Sequence, residues 1–299
     1  MSILVVGSVA LDSVKTPFGE VREALGGSAV YFSLAASYFS EVYLVGVVGK
    51  DFPRRYIRLL QDKGVDTEGL KIEKGRTFRW SGEYEYDLNN RHTHFTHLNV
   101  FKNFLPQLPQ KYKRCKFVFL GNIDPTLQNK VLTQIKKPEL VACDSMDYWI
   151  KTKRRSLLSV LKKVDIFIIN DSEARQLTGE ANLVKAAKQI YSFGPRIIII
   201  KRGEYGALMY FKGAFFWAPA YLLDLVYDPT GSGDAFAGGF LGYLSTCNKV
   251  KMSSLRKAII YASVVASFNV QDFSVNKLKR LSLKKIKDRY QEFVKLTKF

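Results

Sequence analysis

The sequence predicts an α/β fold: a doubly wound, mostly parallel sheet flanked by helices, with a small second sheet standing off it. Three observations carry that expectation. Short, continuously apolar runs alternate with helix-periodic segments, the pattern of parallel strands buried on both faces. Two stretches, Ser13 to Glu23 and Thr77 to Phe101, interrupt the alternation with polar, turn-prone or aromatic composition. No segment rich in Gly, Pro or Ser divides the chain, so a single domain is expected over 1–299, with the small sheet inserted at about 12–24 and 76–102.

Taken in order, Ile3 to Val6 is a short apolar strand ending at Gly7, Ser28 to Phe39 has helical periodicity, and Val42 to Val48 is again a strand. Further buried strands are expected at Phe117–Leu120, Leu140–Cys143, Asp165–Ile169 and Ile197–Ile200. Helical patterns lie between them at Thr126–Ile135, Arg154–Leu161 and Leu183–Tyr191. Within Thr77–Phe101, Phe78, Trp80, Tyr84 and Tyr86 lead into the turn signal Asp87–Asn90, and His94, Phe95 and Leu98 follow. That reads as a β-hairpin with one aromatic face, and a small sheet projecting from an α/β core is a natural lid.

Composition narrows the class. Hydrophobic residues are 47% of the chain, enough for a core that needs no disulfide or metal to hold it. Cys115, Cys143 and Cys247 are far apart and show no C-x-x-C spacing, so neither a disulfide framework nor a zinc site is indicated. The first residues carry no basic segment ahead of an apolar one, and no apolar run is long enough to span a bilayer; a cytoplasmic protein is expected. The net charge is +19, and part of the excess lies between Lys277 and Lys298, where nine Lys or Arg face Asp288 and Glu292. Leu281, Ile286, Tyr290, Phe293 and Leu296 recur there at near-helical spacing, which describes an amphipathic terminal helix with a solvated basic face. The absence of a helix-turn-helix or aromatic-interleaved pattern argues against nucleic acid as the partner of that charge.

The strongest motif is Asp228-Pro229-Thr230-Gly231-Ser232-Gly233-Asp234, opening an apolar helix from about Ala235 to Leu244. Free N–H groups at a helix start, with the positive end of the dipole behind them, make an anion site. A carboxylate in the first turn, Asp234, suits general-base work on a hydroxyl that attacks phosphorus. A Gly-rich turn followed by an acidic residue is also common without any such role.

The motif resembles the C-terminal signature of the PfkB/ribokinase family of carbohydrate and nucleoside kinases, and the resemblance runs along almost the whole chain. Gly7 and Asp12 are similar to that family's first strand and acceptor-contacting aspartate, and Leu25-Gly26-Gly27 to its di-glycine loop. Val45–Asp51, Asn170-Asp-Ser-Glu173 and Lys201-Arg-Gly203-Glu-Tyr-Gly206 resemble its G-x-V-G-x-D, N-x-x-E and K-x-G-x-x-G segments. The resemblance implies a ribokinase-like fold with a β-sheet lid and a transfer from ATP, with Mg²⁺, to an alcohol group of a sugar or sugar-like metabolite. Asp234 would be the base, and the N–H groups of Gly231, Ser232 and Gly233 the anion hole. Lys201, Gly203, Gly206, Thr230 and Ser263 would lie near ATP, and Asp12, Gly26, Gly27, Tyr31 and Asn122 would meet the acceptor. Asn170 and Glu173 would organise Mg²⁺ through water, and Asp228 would belong to a K⁺ site. Asn170 and Glu173 also fit a plain capping box.

Two features bear on the acceptor. Family members that take ribose tend to carry Lys and Asn where this chain has Ser28 and Tyr31, which removes two strong hydroxyl partners and points to a larger or flatter acceptor, such as a nucleoside or cyclitol. His92, His94 and His97 invite a zinc reading, but in a strand His97 faces away from the other two. The alternatives are a nucleoside or inositol-type kinase, a vitamin kinase of the pyridoxal type, and a non-catalytic nucleic-acid-binding or regulatory protein on the same fold. Self-association through exposed aromatic strands of the hairpin is a further expectation.

Overall fold

The computed structural model describes residues 1–298. The chain begins in strand β1 (Ser2–Val6), buried through its whole apolar run. A hairpin follows, β2 (Ala10–Thr16) and β3 (Gly19–Gly26), leading into helix α1 (Ser28–Ala36). Ser13–Glu23, polar and turn-prone by composition, is mostly paired strand of the small sheet; from Asp12 on, alternate residues of β2 are buried, with Lys15 turned outward. Next come β4 (Glu41–Gly49), α2 (Arg54–Asp62) and β5 (Val65–Glu73). The expected aromatic hairpin is β6 (Phe78–Tyr84) with β7 (Arg91–His97).

The second half alternates as the periodicity predicts. It contains β8 (Phe117–Leu120), α3 (Pro125–Leu132), β9 (Leu140–Cys143), α4 (Asp147–Thr152), α5 (Arg154–Leu161) and β10 (Ile166–Asn170). Then follow α6 (Asp171–Thr178), α7 (Leu183–Ser192), β11 (Ile197–Lys201), β12 (Ala207–Phe211) and β13 (Ala214–Ala218). Three helices close the described chain: α8 (Ser232–Ser245), α9 (Met252–Asn269) and α10 (Leu283–Leu296).

The large sheet has the order β13-β12-β11-β10-β9-β8-β1-β4-β5, and the small one β3-β2-β6-β7. Strands β5 through β11 in that sheet run parallel, and β12 and β13 are antiparallel at its edge. Two apolar cores, one on each face, cover it. Each strand of the parallel part needs a crossover, so helices fill both faces and the strands are apolar on both sides. From β1 the order runs outward to β4 and β5 in one direction and to β8 and β9 in the other. Such a reversal leaves a crevice at the carboxyl ends of the strands, where ligands bind in open α/β sheets.

Helix α8 is seated deep because it is thin. A side chain on Gly238 would stand 2.4 Å from the Phe32 carbonyl oxygen of α1, and one on Gly239 3.0 Å from Val265 of α9. Small residues let both neighbours close on α8, so its N-terminus is held rigidly at the crevice. The small sheet is tied down at its base. Asp51 Oδ1 accepts from the backbone N–H and hydroxyl of Thr77 at 2.8 and 2.7 Å, and Asp51 Oδ2 pairs with Arg79 at 2.8 Å.

Candidate active site

Five strand ends supply the floor. Beyond β1 lie Gly7 and Ser8, beyond β8 Gly121 and Asn122, and beyond β9 Asp144; β10 ends in Asn170 and β11 in Lys201. Asn170 and Lys201 are register partners, so their side chains leave the sheet at neighbouring points. Facing them is the start of α8. Gly231 caps it at φ +74°, a left-handed conformation, and a Cβ there would stand 2.3 Å from the Tyr31 ring. Ser232 and Gly233 are already helical, so the helix opens earlier than Ala235 and Asp234 sits in its first turn.

Burial sets the charges here. The Asp234 carboxyl is pushed up to about 7, by loss of water first and by Asp144 second, with Lys201 opposing. Asp12 is also pushed up to about 7 by burial, then by Asp228, with the backbone N–H of Gly27 and the guanidinium of Arg91 opposing. Glu173 reaches about 7 through burial and Asp144. Desolvation works against charge on Lys201, but Asp144, Glu173 and Asp234 outweigh it and hold its ammonium above the ordinary lysine value. Lys201 Nζ lies 3.2 Å from Asp144 Oδ2. Asp144 is raised by burial, against the pull of Lys201.

Around the di-glycine loop, Gly27 has φ +98° and packs against the Ser8 carbonyl at a distance no side chain could share. Ser8 and Ser28 exchange hydrogen bonds through both backbone N–H groups, at 3.1 and 3.0 Å, which fixes the loop to the end of β1. Gly26 leaves room for Asp12, whose Oδ2 would lie 1.9 Å from a Cβ there. Tyr31 is buried between these aspartates, and its hydroxyl has no partner among the described residues. Ser274 joins the two halves: its hydroxyl donates to the Leu25 carbonyl at 2.6 Å, and its N–H to Asp228 Oδ2 at 3.2 Å. Asp228 Oδ1 accepts from the N–H of Thr230 at 2.8 Å, and Asn269 donates to the Thr230 carbonyl at 2.9 Å.

Asp12, Gly26, Gly27, Tyr31, Asp228, Thr230, Gly231, Ser232, Gly233, Asp234 and Lys201 thus lie together or in linked contacts. Asn170 and Glu173 form a reciprocal capping box at the start of α6, with Glu173 N–H to Asn170 Oδ1 at 2.8 Å and Asn170 N–H to Glu173 Oε2 at 3.0 Å. Gly203 and Gly206 bound the turn between β11 and β12. Asn122 Oδ1 accepts from the indole N–H of Trp149 at 3.0 Å. Ser263 is buried on α9, the helix that ends at Asn269. The histidines are exposed on β7, where His92 and His94 approach Glu85 and Glu83 at 2.7 and 3.6 Å.

Three residues escaped the sequence reading. Asp144 follows the β9 strand directly, and its place at a strand's carboxyl end was the available signal. Tyr84 and Arg91 come from the small sheet: Thr230 Oγ1 and the Tyr84 hydroxyl lie 3.3 Å apart, and Arg91 acts on both Tyr84 and Asp12. Nothing in the local sequence singled them out from their aromatic and basic neighbours.

Comparison with known proteins gives concordant results. A family model described as pfkB family carbohydrate kinase matches residues 2–280. A cytidine kinase of Thermococcus kodakarensis is 30% identical over 270 residues, covering 87% of this chain and 96% of its own. A nucleoside kinase of Methanocaldococcus jannaschii, described as an archaeal member of the ribokinase family, superposes with a TM-score of 0.79 at 21% identity, over 97% of this chain and 98% of that one. An E. coli structure named Ribokinase II, solved with ATP and Mg²⁺, superposes with a TM-score of 0.79 at 18% identity, over 97% and 99% of the two chains.

Proposed function

The chain belongs to the pfkB family of carbohydrate kinases, and from that membership we propose that it moves the γ-phosphoryl group of ATP to a hydroxyl of a sugar or sugar-like acceptor. The observation that carries the reading is a carboxylate, Asp234, in the first turn of a helix whose N-terminus has no side-chain cap, beside the Lys201 ammonium. Asp234 takes the proton of the acceptor hydroxyl. The acceptor oxygen bonds to phosphorus as the bond to the oxygen bridging to ADP breaks, and that electron pair leaves with ADP. The N–H groups of Gly231 and Gly233 meet the charge carried by the moving group, joined by that of Ser232 once it leaves the Pro229 carbonyl, to which it donates at 3.1 Å. Asp12, Gly26, Gly27 and Tyr31 hold the acceptor, with Asn122 at its edge. Gly203, Gly206, Thr230 and Ser263 border ATP.

Asn170 and Glu173 already satisfy each other's backbone through the capping box, which fits Mg²⁺ held through water rather than by direct ligation. Mg²⁺ supplies charge neutralisation on the phosphates when bound. For K⁺, Asp228 is buried, and the Asn269 Oδ1 beside its loop is buried without a partner among the described residues. Residues 12–24 and 76–102 act as the lid; Tyr84 reaching Thr230, and Asn89 lying 3.8 Å from where a Gly203 side chain would start, support that role. The exposed β7 edge suits pairing with a second copy.

A nucleoside acceptor is the second reading, favoured by the 30% identity to a cytidine kinase. A panel of sugars, cyclitols and nucleosides, scored by acceptor-dependent ADP formation with Asp234→Asn as control, tests both. No acceptor raising turnover above that control would end the kinase reading; turnover confined to nucleosides would select the second.

A further inference from the structure

A buried ammonium beside a helix N-terminus is an arrangement that calls for an anion. Lys201 ends β11, yet its side chain crosses the end of β10 to reach Asp144 beyond β9, with only 18% and 6% of the two side chains exposed. Its Nζ stands 2.7 Å from the point a Cβ on Gly233 would occupy, so the charge lies against the second residue of α8. The positive end of the α8 dipole and the ammonium therefore face one volume.

Asp144 is itself held: Oδ1 accepts from the Ser145 N–H at 2.7 Å, which leaves Oδ2 for Lys201. An ion pair serving stability alone would not need to sit on the anion-hole turn. We propose that Asp144 is a positioning residue that fixes the Lys201 ammonium against that turn, making Lys201 a catalytic residue that meets the phosphoryl group in flight. This places Lys201 at the transferring group rather than only at the nucleotide turn after β11. It rests on the kinase reading above.

The charge in question grows as the bond from phosphorus to the ADP oxygen breaks and the acceptor oxygen bond forms, so the effect belongs to the transition state more than to bound ATP. Four variants, Lys201→Met, Lys201→Arg, Asp144→Asn and the double Lys201→Met with Asp144→Asn, are measured for kcat and for ADP affinity with and without aluminium fluoride, which mimics the group in transfer. Lys201→Met should lower kcat about 10²-fold or more, change ADP affinity less than about threefold, and abolish the tightening of ADP by aluminium fluoride. Lys201→Arg should restore part of the rate. Asp144→Asn should act in the same direction, by about tenfold.

If Asp144 works through Lys201, the double variant should be no slower than Lys201→Met. That comparison also stands when Asp144→Asn alone folds poorly, because the double leaves no unpaired charge at the pair. Undiminished kcat and retained tightening in Lys201→Met would overturn the proposal. So would losses in ADP affinity as large as those in kcat, or a double variant far slower than Lys201→Met. Failure of the kinase reading is separable, since wild-type protein would then show no acceptor-dependent ADP at all.

Discussion

At the scale of single residues, the acid–base behaviour of the site follows from burial. Asp234 must lose its proton to act as a base, and its carboxyl is pushed up to about 7. The rate with saturating ATP, kcat/KM for the acceptor, should therefore fall about tenfold per pH unit below about 7. Asp234→Asn should lower kcat by about 10²–10⁴ and leave ATP affinity nearly unchanged. Stability should respond with the opposite sense. A carboxyl raised in the folded state binds its proton more tightly there than in the unfolded chain, so it costs stability as pH rises from about 4 to about 7 and stays costly above. Asp234→Asn should thus be more stable than wild type at alkaline pH, by up to about 4 kcal/mol, and the difference should vanish in acid. A pH-independent difference in Tm would remove burial of the charge as its cause. Glu173→Gln should raise the Mg²⁺ concentration for half-activity; an unchanged titration would leave only the cap.

At the scale of elements, α8 and the small sheet do different work. The glycines of α8 let α1 and α9 approach until no side chain fits, which holds the helix N-terminus still, as the proposed anion site requires. Gly238→Val should cost about 2 kcal/mol or more, because the new side chain meets the Phe32 carbonyl rather than a movable side-chain tip. Thermal melting and kcat should fall together; loss of neither would mean that α8 can shift without penalty. The hairpin β6–β7 brings Tyr84 to Thr230, beside the start of α8. Shortening it between Gly82 and Phe95 should hurt acceptor KM more than ATP binding and lower the ratio of acceptor phosphate to ADP formed, as water replaces the acceptor. A folded, shortened variant with full coupling would show that the hairpin is no lid.

At the scale of the whole molecule, the +19 charge is a field that an anionic substrate feels before it arrives. Raising monovalent salt from about 0.01 to about 0.1 M shortens the screening length from about 30 to about 10 Å. The KM for ATP should rise severalfold over that range with kcat little changed; a flat KM would assign the charge to solubility alone. Much of this molecule was legible from its sequence, and the reason differs by level. Strands Phe117–Leu120 and Leu140–Cys143 and helix Arg154–Leu161 were readable because a parallel sheet buries both faces, which writes continuous apolar runs and leaves helix periodicity between them. The Asp228–Asp234 turn was readable because its geometry is local: a left-handed glycine, a helix start without a side-chain cap and a carboxylate within one helical turn. Long-range pairing decided the rest. Strand β2 took β6 as its second neighbour, Tyr84 reached Thr230 across the fold, and Lys201 turned to Asp144 two strands away. A side chain's partner across the sheet depends on strand order, and strand order is a property of the packed molecule that no local spacing encodes.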